Sequence, residues 1–207
     1  MPVRGALAAF RSAVAQCDSL IASAHKVDGT GASIFPPRDR EQITIAAFLN
    51  MFIAWETFLE DTLAHLMAGA ATISGTMPVK YVSPLSHSDA KAMIIGTYRY
   101  FDYANHDNVK KMVRIYFDRG YPFDPPISGI FSDLADLKTM RNSSAHMSSS
   151  TQIALETLAL RIFGAPKHGI SLYQLLTAVD PRSATGETVF LAYKNKLIVT
   201  AELIAMG

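Results

Sequence analysis

Between Asp39 and Ala68 the chain repeats large apolar side chains at three- and four-residue steps: Phe48, Phe52, Trp55, Leu59, Leu63 and Leu66. At 3.6 residues per turn these positions fall on one stripe of a single long helix. A stripe about five turns long must be covered by further elements, because apolar surface left in water forfeits about 25 cal/mol per Å². The rest of the chain supplies mostly helical partners. Val3 to Ala24 carries Leu7, Phe10, Val14 and Leu20 near helical spacing. Ser88 to about Tyr100 and His106 to about Arg119 read as two shorter helices. Gly129 to about His146 reads as another, and Ser149 to Phe163 as the next. A short helix is expected over Leu172 to Val179. The last segment, Thr188 to Met206, reads as a helix or, from the alternation of Val189, Leu191 and Tyr193, as a strand. The expected class is all-α.

Breaks separate these segments. Gly29, Gly31, Pro36 and Pro37 interrupt the chain after the first helix, and Gly75, Pro78 and Pro84 mark the loop from Gly69 to His87. The run Tyr121-Pro122-Phe123-Asp124-Pro125-Pro126 is expected to stop a helix, since proline removes a backbone donor and restricts the residue before it. Ser149-Ser150-Thr151-Gln152 resembles a capping box. No repeat or composition shift marks a domain boundary, and 207 residues suit one domain spanning 1–207.

Bulk charge narrows the function. A formal net charge of +1 does not advertise a broad basic face for indiscriminate nucleic-acid binding, although it leaves room for a local basic pocket. Cys17 is the single cysteine, so no intramolecular disulfide and no cysteine-rich zinc site can form. Its usage fits a reducing cytoplasm. The most apolar stretch, Ile43 to Trp55, is followed at once by Glu56, Glu60 and Asp61. It is shorter than the roughly 20 residues that span a bilayer. A soluble, cytoplasmic protein is expected, with no membrane partner. His25, His65, His87, His106 and His168 show no close ligand spacing, and His87 with Asp89 lacks a third ligand. No metal and no cofactor is assigned.

The chemistry-bearing segment is Arg141-Asn142-Ser143-Ser144-Ala145-His146. On a helical wheel Ile130, Leu134, Leu137, Arg141 and Ser144 share one stripe, so Arg141 stands where another leucine would be expected. A guanidinium there must be paired, reach out of the core or face a partner chain, because an unpaired buried charge is very costly. His146 lies five positions on, around the helix from Arg141, near the expected helix end. The plain structural alternative is a salt-bridged arginine and a histidine that caps carbonyls.

These residues resemble a family. Arg141-Asn142-Ser143-Ser144-Ala145-His146 resembles the Arg-X4–6-His signature of HEPN domains. Trp55-Glu56-Thr57-Phe58-Leu59-Glu60-Asp61 resembles the helix of their RiboL-PSP-like branch. The two segments cover about a tenth of the chain. The resemblance implies a HEPN-like helical bundle with added short helices, forming a homodimer that brings two motifs into one cleft. It implies a metal-independent endoribonuclease of the toxin–antitoxin or antiviral-defence type, with Arg141 and His146 catalytic and Asn142 supporting. Glu56 is read from its position: a carboxylate beside Trp55 at the edge of the apolar stripe is expensive unless paired, which makes it a candidate partner for Arg141 or His146, with a structural ion pair as the alternative. An antitoxin or inhibitor protein would then be a partner. The non-catalytic alternative is a module of the same family that binds nucleotide, RNA or a protein.

The residue types suit RNA cleavage. RNA carries its own 2′-hydroxyl nucleophile, histidine titrates near neutrality and can move the proton, and arginine holds phosphate through a planar fork. Arg99, Lys110, Lys111, Arg114 and Arg119 are candidate phosphate contacts for RNA. Tyr98, Tyr100, Phe101 and Tyr103 are candidate stacking platforms. Packing and a solvated basic face are the competing reading of that group.

Overall fold

A computed structural model describes every residue except Met1, Tyr98, His146 and Met147, with the backbone alone of Ala145. Two candidate residues, His146 and Tyr98, therefore lie outside the described residues. The described residues form helices joined by loops, with isolated bridges but no strand among them. The elements are α1 (Pro2–Ala24), α2 (Pro37–Met67), α3 (His87–Ile95), α4 (His106–Tyr116), α5 (Asp124–Gly129), α6 (Phe131–Ala145), α7 (Ser149–Phe163), α8 (Leu172–Thr177) and α9 (Val189–Met206), with a 3₁₀ turn at Asp118–Gly120.

The expected α2 stripe is buried throughout, and Met51, Phe58, Ala64 and Met67 widen it beyond the predicted face. By length and composition alone α2 could cross a membrane. The bare Ile43–Trp55 segment is shorter than that, but the whole helix of 31 residues is not. Its bulkiest side chains, Phe48, Phe52, Trp55 and Phe58, are nonetheless covered by protein. In α1 the buried row runs Val3, Leu7, Phe10, Val14, Cys17 and Ala24, while Leu20 is exposed. Leu20 is six residues past Val14, which is well round the helix, and Cys17 takes the place expected of it. Burial pushes the Cys17 thiol up, so it is a packing group rather than a reactive thiolate.

Two helix boundaries differ from expectation for local reasons. The proline run is not only a stop: Pro125 and Pro126 fall in the first turn of α5, where a missing N–H costs nothing. The capping box of α7 starts one residue early. Ser148 caps the N–H of Thr151, whose hydroxyl answers the Ser148 N–H, and Gln152 is left free to reach elsewhere. α9 is a helix. Its buried residues Val189, Tyr193, Leu197, Ala201 and Ile204 continue at four- and three-residue steps, which the short alternation at its start obscured.

The chain divides into two compact units, each assembled from separated stretches. The first contains 1–12, 54–134 and 196–207, the second 13–53 and 135–195. In the first, Phe10, Trp55 and Phe58 form an aromatic cluster with ring centroids 5.7–6.1 Å apart. The Trp55 indole N–H donates to His106 Nε2 at 3.2 Å, with both residues buried. That bond requires an unprotonated Nε2. In the second unit the Lys194 ammonium, almost buried, holds both oxygens of Asp18 at 2.8 and 2.9 Å, joining α9 to α1.

Candidate functional site

Arg141 and Asn142 lie in the last turns of α6, within the second unit. The buried row of α6 is Leu134, Asp136, Leu137 and Met140. Met140 thus takes the core position assigned to Arg141 on the wheel, and Arg141 is half-buried beside it. The guanidinium Nη1 donates to Asn142 Oδ1 at 3.3 Å. Among the described residues of its own unit Arg141 makes no ion pair with a carboxylate, so the salt-bridge alternative has no partner there. Ser143 and Ser144 donate back to the Met140 and Arg141 carbonyls at 2.7 and 2.6 Å, which closes the last turn.

What fixes this helix is a buried polar network that the sequence reading missed. Asp136, five residues before Arg141, is almost wholly buried. Its carboxylate accepts from the Arg161 guanidinium of α7 and, at 2.6 Å, from the Tyr193 hydroxyl of α9. Burial, reinforced by that carboxylate, pushes the Tyr193 phenol up, so it remains a donor at neutral pH. Arg182 lies over the Tyr193 ring, 5.6 Å from its centroid, and forks onto Asp180 at 2.7 and 2.9 Å. The available signal was a carboxylate set between Leu134 and Leu137, in the apolar row of its helix. It is the same clue that drew attention to Glu56.

A cavity of about 450 Å³ adjoins the motif within this unit, lined by Glu41, Ser143, Ser144, Ser148, Thr151 and Gln152 among others. Its hydroxyls are mostly engaged within the chain. Ser143 and Ser144 donate to helix carbonyls, and the Ser148 and Thr151 hydroxyls each accept the other's backbone N–H. Gln152 donates to Glu156 Oε1 and to the Ile170 carbonyl, both at 3.1 Å. The helix start at Ser148 is therefore a self-satisfied cap, with little left to offer an anion.

Glu56 belongs to the first unit and is half-buried, one residue past the fully buried Trp55. The basic candidates separate. Arg114 Nε donates to Asp124 Oδ2 at 2.5 Å, and Lys110 Nζ sits 3.5 Å from Asp124 Oδ1 and 5.1 Å from the Phe131 centroid. Burial raises the Asp124 pKa, but hydrogen bonds from Arg114 and Ser128 overcome it and hold the carboxyl below its ordinary value. These two cations thus pin α5 to α4. Arg99 and Lys111 instead line a cleft with Tyr100 and Phe101. Tyr103 is withdrawn, buried and edge-on to Phe101 at 4.8 Å. Arg119 adopts a left-handed backbone in the 3₁₀ turn.

His65 and His87 stack with centroids 4.2 Å apart, and His87 Nε2 lies 3.6 Å from Asp61 Oδ1. Among the described residues no group of three or more His, Cys, Asp or Glu side chains could hold a metal ion.

In comparisons with known proteins, no family model, no curated protein and no solved structure matches the chain.

Proposed function

We propose that the protein is a metal-independent endoribonuclease of the toxin or host-defence type, a HEPN-like helical chain acting as a cytoplasmic homodimer. What supports the reading is Arg141: a half-buried guanidinium at the end of α6, bonded to Asn142 and without a carboxylate partner among the described residues of its own unit. A cation not consumed by structure is available to a phosphate. The rigid Asp136–Tyr193–Arg161 network holds the helix that presents it.

In the proposed reaction the RNA 2′-hydroxyl attacks the adjacent phosphorus and the 5′-oxygen leaves, giving a 2′,3′-cyclic phosphate. His146 takes the 2′-hydroxyl proton, and the imidazolium so formed gives a proton to the leaving 5′-oxygen. Arg141 stabilises the charge that develops on the phosphoryl oxygens, and Asn142 orients it. Glu56 is a supporting carboxylate of the proposed reaction, readable as a slower cleavage rate in Glu56→Gln. A neutralising protein partner is expected for a toxin.

The test incubates wild type, Arg141→Ala and His146→Ala with single-stranded and transfer RNA in EDTA, and reads the end groups. Wild type should leave cyclic phosphates, and each variant should be slower by about 10²–10⁴. Inhibition by the chelator, or full activity in His146→Ala, refutes the mechanism. RNA binding without cutting by any form would favour the non-catalytic alternative.

A further inference from the structure

α4 carries three faces. Val109 and Val113 point into the core, and Lys110 and Arg114 engage Asp124. The third face, Asn108, Lys111, Met112 and Ile115, follows the i, i+3, i+4, i+7 rule of one helical side. It forms one wall of a cleft of about 810 Å³ in the first unit. The opposite wall is the end of α3 and the loop that follows it. The Tyr116 hydroxyl ties the two walls by donating to the Met93 carbonyl at 3.0 Å.

The cleft's chemistry is mixed in a particular way. Its floor is apolar, with Ile94 buried and Met93, Met112 and Ile115 around it. Tyr100 lines it and is 74% exposed, which leaves its side chain open to a ligand. Arg99 and Lys111 bring two positive charges, both exposed and neither ion-paired among the described residues. Asp102 brings one negative charge and already accepts from the Ala104 N–H at 3.1 Å. The sum is one positive charge beside an open aromatic face, with the Asn108 amide able both to donate and to accept. One positive charge matches one phosphodiester and disfavours a di- or triphosphate. An aromatic face with flanking cations is how bases and backbone are held without sequence reading. The volume lies within the usual range of a ligand cleft, about 300–1,000 Å³.

We propose that this cleft holds one nucleotide of a single-stranded nucleic acid, its base stacked on Tyr100 and its phosphodiester between Arg99 and Lys111. The site owes nothing to Arg141 or His146, so it goes beyond the cleavage reading and is tested apart from it. The probe is a fluorescein-labelled twelve-nucleotide 2′-O-methyl RNA, which lacks the nucleophile and cannot be cut. Binding is followed by fluorescence anisotropy across a salt series.

Tyr100→Ala should bind about tenfold more weakly, and Tyr100→Trp should bind as wild type. The Arg99→Ala/Lys111→Ala double variant should lose about 0.7 from the slope of log K against log salt, the share of the one phosphate the two cations hold. Lys167→Ala, an exposed cation outside the cleft, should match wild type. The substituted side chains are exposed, and unchanged melting temperatures establish that the variants fold. Competition by adenosine monophosphate at the strand's own concentration range would support the site with a free nucleotide as its occupant. Absence of competition would support a strand. Equal affinity of wild type, Tyr100→Ala and the double variant, or no binding by wild type at low salt, overturns the proposal.

Discussion

Replacing Tyr193 by phenylalanine removes one oxygen from the interior and leaves the ring in place. That oxygen donates to Asp136 Oδ2 at 2.6 Å, and both residues are at most 3% exposed. A hydrogen bond to a charged group contributes about 1.5–3 kcal/mol, and here water has little access to replace it. Asp136 keeps its bond from Arg161, but the Arg161 side chain is 55% exposed and so screened that it cannot compensate fully. The expected loss is about 2 kcal/mol, roughly a 30-fold fall in the folded-to-unfolded ratio. In urea, with a slope of about 2–3 kcal/mol per M, the midpoint by far-UV circular dichroism should drop by about 0.7–1 M. Asp136→Asn combined with Tyr193→Phe should cost less than the sum of the single changes, because the two share one bond. A midpoint that moves by less than about 0.2 M, equivalent to about 0.5 kcal/mol, would show that the hydroxyl does not hold the carboxylate, and the account of how α6 is anchored would fail.

Three further outcomes follow from the geometry. Burial, the neighbouring His87 and Lys91 hold the His65 pKa below its ordinary value. The folded state therefore resists the proton, and the stability this contributes is present above the unfolded pKa near 6.5 and lost as pH falls through the lower folded value. Denaturation midpoints of wild type should drop on acidification below about pH 6.5, and His65→Gln should flatten that drop; an unchanged pH profile in His65→Gln counts against it. Arg119, with φ of 53°, occupies a left-handed conformation that costs an L residue about 1–2 kcal/mol, so Arg119→Gly should raise the melting temperature, and a fall would contradict the strain argument. Gly120 should tolerate nothing larger: with φ of 69°, a Cβ there would meet Asp124, Val113 and Arg114 at 3.0–3.2 Å, so Gly120→Ala should lower the melting temperature and release the clamp on Asp124.

Much of the helical order was legible because it rests on periodicity. The Phe48-to-Leu66 stripe, the glycine and proline breaks and the helix over Ser149–Phe163 are local patterns whose physical cause lies within a few residues. The misses depended on partners far along the chain. Nothing near Asp136 announces that Tyr193 and Arg161 will meet it, nor does the stretch around Lys110 and Arg114 say that Asp124 will claim them. Those pairings decided which basic residues stay available: Arg99 and Lys111 line an open cleft, while Lys110 and Arg114 became structural. Arg141 illustrates the limit of a wheel. A one-residue offset, with Met140 rather than Arg141 continuing the buried row, separates a core position from a half-exposed one.

The hydrogen bond between Trp55 and His106 has an optical consequence. Trp55 is the only tryptophan in the chain, and it sits in the first unit with its indole N–H bonded to an imidazole. Its emission is therefore a native probe placed in that unit, blue-shifted while buried. Tyr193 and Asp136 lie in the other unit. Tryptophan emission and circular dichroism followed through the same titration would show whether damage done in one half of the molecule is felt in the other. Coincident curves would mark a single cooperative protein. Separated curves would give each unit a stability of its own, with a built-in fluorophore to read the first.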